Sequence, residues 1–98
     1  MSEYHIPVLL NESIAALKIK ESGTYIDATF GGGGHSREIL KRLGRKGRLI
    51  AFDRDQDAMA NAPEDKRFTL IHNNFRFISN FIKYLDINSV DGILADLG

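Results

Sequence analysis

The 98-residue sequence predicts a single α/β domain built on a parallel sheet, and three observations carry this prediction. Short segments rich in β-branched and aromatic residues alternate with segments of helical period. Four consecutive glycines, 31–34, join one such strand to the helix that follows it. Hydrophobic residues make up 43% of the chain and charged residues 27%, which suits one compact domain.

The segments before the glycines predict a helix and a strand. Ile14 and Leu17 lie at helical spacing, and Asn11 is available as a cap, so the opening helix is predicted over 8–19. The segment 24–30, TYIDATF, is rich in β-branched and aromatic residues and ends at the glycines, as a buried strand would.

The segment after the glycines predicts a helix over 35–44. Ile39, Leu40 and Leu43 fall on one face of this helix, and Gly44 is positioned to stop it. The rest of the chain repeats the alternation of strand and helix. The predicted elements are a strand at 48–53, a short helix at 54–62 before Pro63, a strand at 67–72, a helix at 75–85 and a strand at 90–98.

Composition limits the classes of protein that the chain can belong to. Thirteen basic and thirteen acidic residues give a formal net charge of zero, so bulk charge neither indicates nor excludes a nucleic-acid partner. The absence of cysteine excludes disulfides, thiolate metal sites and a cysteine nucleophile. No signal peptide or membrane span is evident, and we expect a cytoplasmic protein that uses no metal.

Polar and glycine residues follow each predicted strand. In a parallel sheet these positions collect along one edge, where open α/β sheets bind ligands. The segments that meet there are 31–35, Asp53, 73–75 and Asp96. The basic run 41–48 is expected at the opposite edge, facing solvent.

The glycine run itself excludes two common nucleotide motifs. A phosphate-binding P-loop needs a lysine followed by serine or threonine, and GGGGHS has neither that lysine nor the spacing. The dinucleotide fingerprint G-x-G-x-x-G also fails, because its third glycine would be Ser36 or Arg37. The pattern Asp27-x-x-x-Gly31-x-Gly33 instead resembles the first motif of S-adenosylmethionine-dependent methyltransferases.

Asp53 ends the next predicted strand, nineteen positions after Gly34. An acidic residue at about this spacing accepts hydrogen bonds from a ribose diol in nucleoside-binding folds. The alternative is that Asp53 caps the following helix, although Asp55 is also available for that role.

Three further residues have both a ligand-binding and a structural interpretation. His35 stands where a helix N-terminus would meet the ligand, or is a surface histidine. Phe75 follows the third strand and could cover an adenine ring, or is the first core aromatic of the next helix. Asp96 ends the fourth strand and could contact the cofactor or an amine substrate, or is a turn aspartate.

Four stretches in this order resemble the amino-terminal part of the MraW (RsmH) family of bacterial 16S rRNA cytosine-N4 methyltransferases. They are HIPVLLNE (5–12), YIDATFGGGGHS (25–36), AFDRDQDA (51–58) and DGILADLG (91–98). The resemblance covers nearly the whole chain. It implies a Rossmann-like fold and methyl transfer from S-adenosylmethionine to the exocyclic amine of a cytidine in the small ribosomal subunit.

Carried over by position, the resemblance implies a set of cofactor contacts and leaves the catalytic residues unassigned. The implied contacts are Gly33, Gly34, His35, Asp53, Phe75 and Asp96. Two alternatives remain open at this point: the NAD-binding domain of an oxidoreductase, and a non-catalytic nucleotide-binding module.

Members of this family are considerably longer than 98 residues, so the resemblance implies that residues 1–98 form the first part of a methyltransferase domain. We expect four parallel strands in the order 3-2-1-4, with the fourth as an exposed apolar edge that could pair with another copy. We do not expect methyl transfer by these 98 residues alone, although weak cofactor binding is compatible with them.

Overall fold

A computed structural model describes residues 14–73, 75–84, 87 and 89–95 of the chain. Four parallel strands form one sheet in the order β3-β2-β1-β4, which confirms both the α/β class and the predicted strand order. The strands are β1 (Thr24–Asp27), β2 (Arg48–Asp53), β3 (Phe68–His72) and β4 (Gly92–Leu94). The helices are α1 (14–17), α2 (Gly34–Arg42) and α3 (Ile78–Tyr84), with 3-10 helices at Gln56–Asn61 and Phe75–Phe77.

Successive side chains of the central strands point to opposite faces of the sheet, and apolar side chains are buried on both faces. On one face Tyr25 and Leu49 are opposite each other and pack with Ile14 of α1 and Ile39 of α2. This arrangement explains the near-continuous hydrophobic sequence of β2, because a parallel strand covered on both faces has no polar side.

The other face of the sheet is covered by α3. Ile26 and Ile50 are adjacent across β1 and β2, and they pack with Phe52, whose ring meets that of Phe81 edge-on at 5.6 Å between centroids. Helices on both faces therefore leave the two ends of the strands as the open surfaces of the sheet.

The segment predicted as a helix over 54–62 forms the 3-10 helix Gln56–Asn61. The carboxylate of Asp55 caps this helix by accepting a hydrogen bond from the Asp57 N–H at 2.9 Å. At the other end Ala62 is extended, because the residue before a proline is excluded from the helical region. The short distance between the cap and the proline limits the segment to six residues.

Gly44 was predicted to stop α2, and the helix does end just before it, although not through a left-handed glycine. The helix ends at Arg42, and Leu43 is already extended, with φ −80° and ψ 146°. Gly44 has no positive φ; its N–H donates to the Glu21 carbonyl at 2.7 Å, and a Cβ at Gly44 would lie 3.1 Å from the Glu21 Cβ. Glycine is needed here for close approach between two chain segments.

β4 is one of the two edge strands, since within the described residues it pairs with β1 and with no other strand; β3 is the other. The middle residue of β4, Ile93, is 48% exposed, as expected for an apolar residue on an uncovered edge. Pairing of this edge with a second copy remains a prediction. Residues 8–13 of the first predicted helix, residue 85 and residues 96–98 lie outside the described part of the chain.

An ion pair ties α2 to the amino-terminal edge of the sheet. Arg67 donates to the Asp65 carboxylate from Nη2 at 2.7 Å and from Nε at 2.9 Å, while its Nη1 donates to the Leu43 carbonyl at 2.7 Å. These bonds to the carboxylate lower the pKa of Asp65 to about 2. The basic run 41–48 lies at the same end of the strands, as predicted, and the exposed residues in it are Lys41, Arg42, Arg45 and Lys46.

We expect Asp65→Asn to remove part of the acid sensitivity of the fold. A carboxyl with a lowered folded-state pKa adds stability above its ordinary value of 3.8, and that stability is lost as the pH falls toward 2. Urea unfolding between pH 5 and pH 2 should therefore show a steeper loss for the wild-type chain than for the variant. Glu64→Gln, at the exposed neighbouring carboxyl, is the control, and an equal effect of both substitutions would contradict the prediction.

Candidate functional site

The chain leaves the sheet sharply at the end of β1. The carboxylate Oδ1 of Asp27 accepts a hydrogen bond from the Thr29 N–H at 3.1 Å, which turns the backbone two residues after the strand. β1 therefore ends at Asp27, although the sequence predicted a strand to residue 30. The Phe30 N–H still bonds to the Phe52 carbonyl at 2.9 Å, so the turn stays against β2.

The buried carboxylate of Asp27 joins the end of β1 to the start of α2. Its Oδ2 accepts a hydrogen bond from the Ser36 Oγ at 2.7 Å, and both residues are fully buried. Burial raises the pKa of Asp27, because the charged form loses its hydration, and the bonds from Ser36 and Thr29 oppose that rise. Strand, turn and helix are thus held by one side chain.

The glycine loop, residues 31–34, uses two left-handed conformations. Gly31 has φ +56° and Gly33 has φ +90°, values that side-chain-bearing residues rarely adopt. A Cβ at Gly31 or Gly32 would have no atom within 4 Å, so the loop borders open space there. A ligand can therefore approach the backbone closely.

α2 begins directly after this loop, at Gly34, with Gly33 as its N-cap. Because Gly33 has no side chain, no side-chain cap covers the amides of the first turn. Such amides have no intrahelical acceptor and favour an anion. His35, in the first turn of α2, is buried, with 8% of the residue exposed.

Asp53 lies beside the glycine loop, at the carboxyl end of β2, and the surface bordered by Asp53, the glycine loop and the first turn of α2 is called the crevice below. Its Oδ2 accepts a hydrogen bond from the Gly31 N–H at 2.8 Å, and its Oδ1 accepts one from the Asp55 N–H at 2.8 Å. The structure thus brings together two segments separated by 22 positions. The helix cap in this segment is Asp55, so Asp53 is not needed for that role.

The end of β3 lies beside the end of β2. His72 is the register partner of Asp53, and its Nε2 lies 3.0 Å from the Arg54 carbonyl oxygen. Asn73 follows directly, and Phe75 begins the next 3-10 helix. Two residues that the sequence also predicted at this edge, Asn74 and Asp96, lie outside the described residues.

Sequence reasoning missed two side chains that shape this region, Ser36 and Arg37. Ser36 is the donor to Asp27, and Arg37 donates hydrogen bonds to the carbonyls of Gly32 and Asn61. A serine in the first turn of a helix after an acidic strand end was the available signal for the first contact. The second depends on the distance between two loops, which no local pattern reveals.

Comparison with known proteins identifies the family. The model of the MraW methylase family matches residues 2–98. The chain belongs to this family. The match therefore confirms the family resemblance and favours a methyltransferase over the NAD-binding alternative.

Relatives and solved structures agree with this assignment. Ribosomal RNA small subunit methyltransferase H of Flavobacterium johnsoniae is 62% identical over 96 residues, which cover 98% of this chain and 32% of the relative. The protein of the same name from Bacteroides fragilis is 60% identical over 95 residues, covering 97% and 31%. A crystal structure of a candidate rRNA methylase from Clostridium thermocellum superposes with a TM-score of 0.68 at 29% identity, over 74% of this chain and 44% of that one.

The chain thus spans about a third of the length of these curated relatives. Among the described residues, no helix is long and apolar enough to cross a membrane.

Ser36→Ala should destabilise the fold by about 1–3 kcal/mol at neutral pH, because it leaves a buried carboxylate oxygen without its donor. The substitution also raises the pKa of Asp27 further. The stability contributed by Asp27 is present below its ordinary value of 3.8 and is lost as the pH rises through the folded-state pKa. Urea unfolding should therefore show the cost shrinking in acid; Ser79→Ala, at an exposed serine of α3, is the control.

Gly33→Ala should destabilise the fold by about 2 kcal/mol or more, since it places a side chain at φ +90° and against the ring of Phe30 at 2.9 Å. Gly32→Ala is the matched control, because Gly32 has no positive φ and open space at its Cβ. Thermal unfolding of both variants checks the prediction. Equal stability of the two would contradict it.

Proposed function

We propose that the chain forms the cofactor-binding part of an enzyme that transfers a methyl group from S-adenosylmethionine to the exocyclic N4 of a cytidine in 16S rRNA. The observation that carries this proposal is the contact between the glycine loop and Asp53 at the carboxyl ends of β1 and β2, with 2.8 Å between the Gly31 nitrogen and the Asp53 Oδ2. Membership of the MraW methylase family supports the reaction class.

The donors and acceptors of this crevice fit the cofactor. A carboxylate has about four acceptor positions, and each oxygen of Asp53 accepts one hydrogen bond from the backbone. Capacity therefore remains for the two hydroxyls of a ribose. On the opposite wall, the uncapped first turn of α2 offers amide donors to the carboxylate of the methionine part.

Each residue expected to contact the cofactor is assigned to one part of it. Gly33, Gly34 and His35, at the start of α2, would adjoin the amino-acid part of the cofactor. Asp53 would hold the ribose. Phe75, at the start of the 3-10 helix after β3, would adjoin the adenine. Asp96 is assigned on family resemblance alone.

The chemistry requires orientation more than covalent participation by the protein. The bound cofactor supplies an electrophilic methyl group on a sulfonium, and in-line displacement depends on placement of the amine. The exocyclic amine of cytosine is a weak nucleophile, because its lone pair is delocalised into the ring. A nearby carboxylate or carbonyl acceptor would assist loss of its proton, and Asp96 is the carboxylate we nominate for that position.

The rRNA substrate is proposed from the names of the relatives, of which this chain matches about a third of the length. Ribosomal RNA as substrate also implies a cytoplasmic location. The 98 residues supply much of the cofactor crevice, so cofactor binding by this chain is the appropriate first test.

Asp53→Asn should weaken binding of S-adenosylhomocysteine at least tenfold, because the amide replaces one of the two acceptor oxygens proposed to meet the ribose. Isothermal calorimetry on the 98-residue chain measures this. The loss should be much smaller for a 2′,3′-dideoxy analogue, which lacks both hydroxyls. Asp57→Asn, on the neighbouring 3-10 helix, is the control and should bind as the wild type does.

A genetic test addresses the rRNA target. Deletion of the coding sequence should remove N4-methylcytidine from digests of 16S rRNA analysed by mass spectrometry. The wild-type gene should restore the modified nucleoside, and the Asp53→Asn gene should not. Unchanged N4-methylcytidine after deletion would refute the proposed target while leaving the cofactor assignment to the binding experiment.

A further inference from the structure

Arg37 connects the two walls of the crevice. It lies in the first turn of α2, where its Nη1 donates a hydrogen bond to the Gly32 carbonyl at 2.8 Å. Its Nη2 donates to the carbonyl of Asn61, the last residue of the 3-10 helix that follows β2. One guanidinium thus joins the glycine loop after β1 to the segment that carries Asp53.

The shape of the loop matches this guanidinium. A Cβ built on Gly33 would collide with Arg37 and with the ring of Phe30. The Arg37 side chain therefore lies in the space that a side chain at position 33 would fill. The absence of a side chain at Gly33 permits both the left-handed turn and the approach of the guanidinium.

The hydrogen bonds fix the orientation of one peptide group in the loop. The Gly32 carbonyl accepts from Arg37, and the Gly33 N–H of the same peptide donates to the Phe30 carbonyl at 2.9 Å. A peptide group is planar, so holding both of its ends fixes its rotation. That rotation in turn sets the direction of the amides that begin α2.

We propose that Arg37 is a positioning residue for the cofactor, acting through the backbone of Gly32 and Asn61. This inference rests on the proposed function: the loop receives the amino-acid part of S-adenosylmethionine, and Asp53 receives its ribose. Arg37 sets the separation of these two contacts. Its effect is therefore specific to ligands that reach both walls.

Two ligands separate positioning from general support of the fold. S-adenosylhomocysteine spans both walls, whereas 5′-methylthioadenosine lacks the amino-acid part and reaches only the wall of Asp53. Arg37→Ala should lower the affinity for S-adenosylhomocysteine about tenfold and change that for 5′-methylthioadenosine less than about twofold. Arg37→Lys replaces the guanidinium, which donates from two nitrogens, with a single ammonium. Its loss of affinity for S-adenosylhomocysteine should therefore lie between those of the wild type and Arg37→Ala.

Arg42→Ala is the matched control. Arg42 lies on the same helix, and its ion pair with Glu38 is at 3.6 Å, so the variant loses the same charge without touching the loop. Calorimetry of the chain with both ligands measures the affinities, and urea unfolding measures the stability of each variant. If Arg37→Ala does not fold, the comparison of the two ligands is made with Arg37→Lys.

Each outcome decides between the alternatives. An equal loss of affinity for the two ligands in Arg37→Ala, or no loss for either, would overturn the positioning role. Binding of S-adenosylhomocysteine by the wild-type chain would still support the cofactor site in that case. A wild-type chain that binds neither ligand would refute the proposed function itself, and the inference with it. A selective loss for S-adenosylhomocysteine in the Arg37 variants alone is the expected result.

Discussion

The hydrogen bond between Asp27 and Ser36 is the constraint on which the crevice depends. It lies inside the protein and fixes the first turn of α2 against the end of β1. The glycine loop between these two points can therefore adopt left-handed conformations at Gly31 and Gly33 while the start of the helix stays fixed. Ordering a glycine-rich loop costs much backbone entropy, and the hydrogen bond between Asp27 and Ser36 offsets part of that cost.

The residues at the two ends of the strands have different structural roles. At the amino-terminal edge, the Asp65–Arg67 pair and the carbonyl of Leu43 hold the end of α2. At the carboxyl-terminal edge, hydrogen bonds to Asp53 and from Arg37 hold the loops that border the crevice. Substitutions at the first edge should thus affect stability with little effect on ligand affinity. This separation makes the binding experiments interpretable.

The sequence predicted the fold well because its signals are local. Alternation of strand and helix, and the glycine run between them, are properties of neighbouring residues, and β2 was predicted with its observed bounds. Errors occurred where a distant contact decides the conformation. The helix α2 ends at Arg42, two residues before its predicted bound, where the Gly44 N–H donates to the carbonyl of the distant Glu21.

In the site, too, local patterns predicted positions and distant contacts were missed. Asp53 was found from its position after a strand and its spacing from the glycines, while the role of Arg37 depends on Asn61, 24 positions away. Family resemblance supplied the substrate class, which neither spacing nor charge could give. The ligand roles of the site residues stay predictions until binding is measured.

The acceptors of Arg37 are both main-chain carbonyls, and this has a consequence for how the sequence can vary. A contact to backbone does not depend on which side chain its partner carries, so positions 32 and 61 are free to change as far as this contact is concerned. Gly32 in particular has open space at its Cβ and no positive φ. Within the run of four glycines, the fold itself therefore leaves room for a side chain at the second, where only a ligand against the backbone would exclude one, while the third is held to glycine by both its backbone and its neighbour.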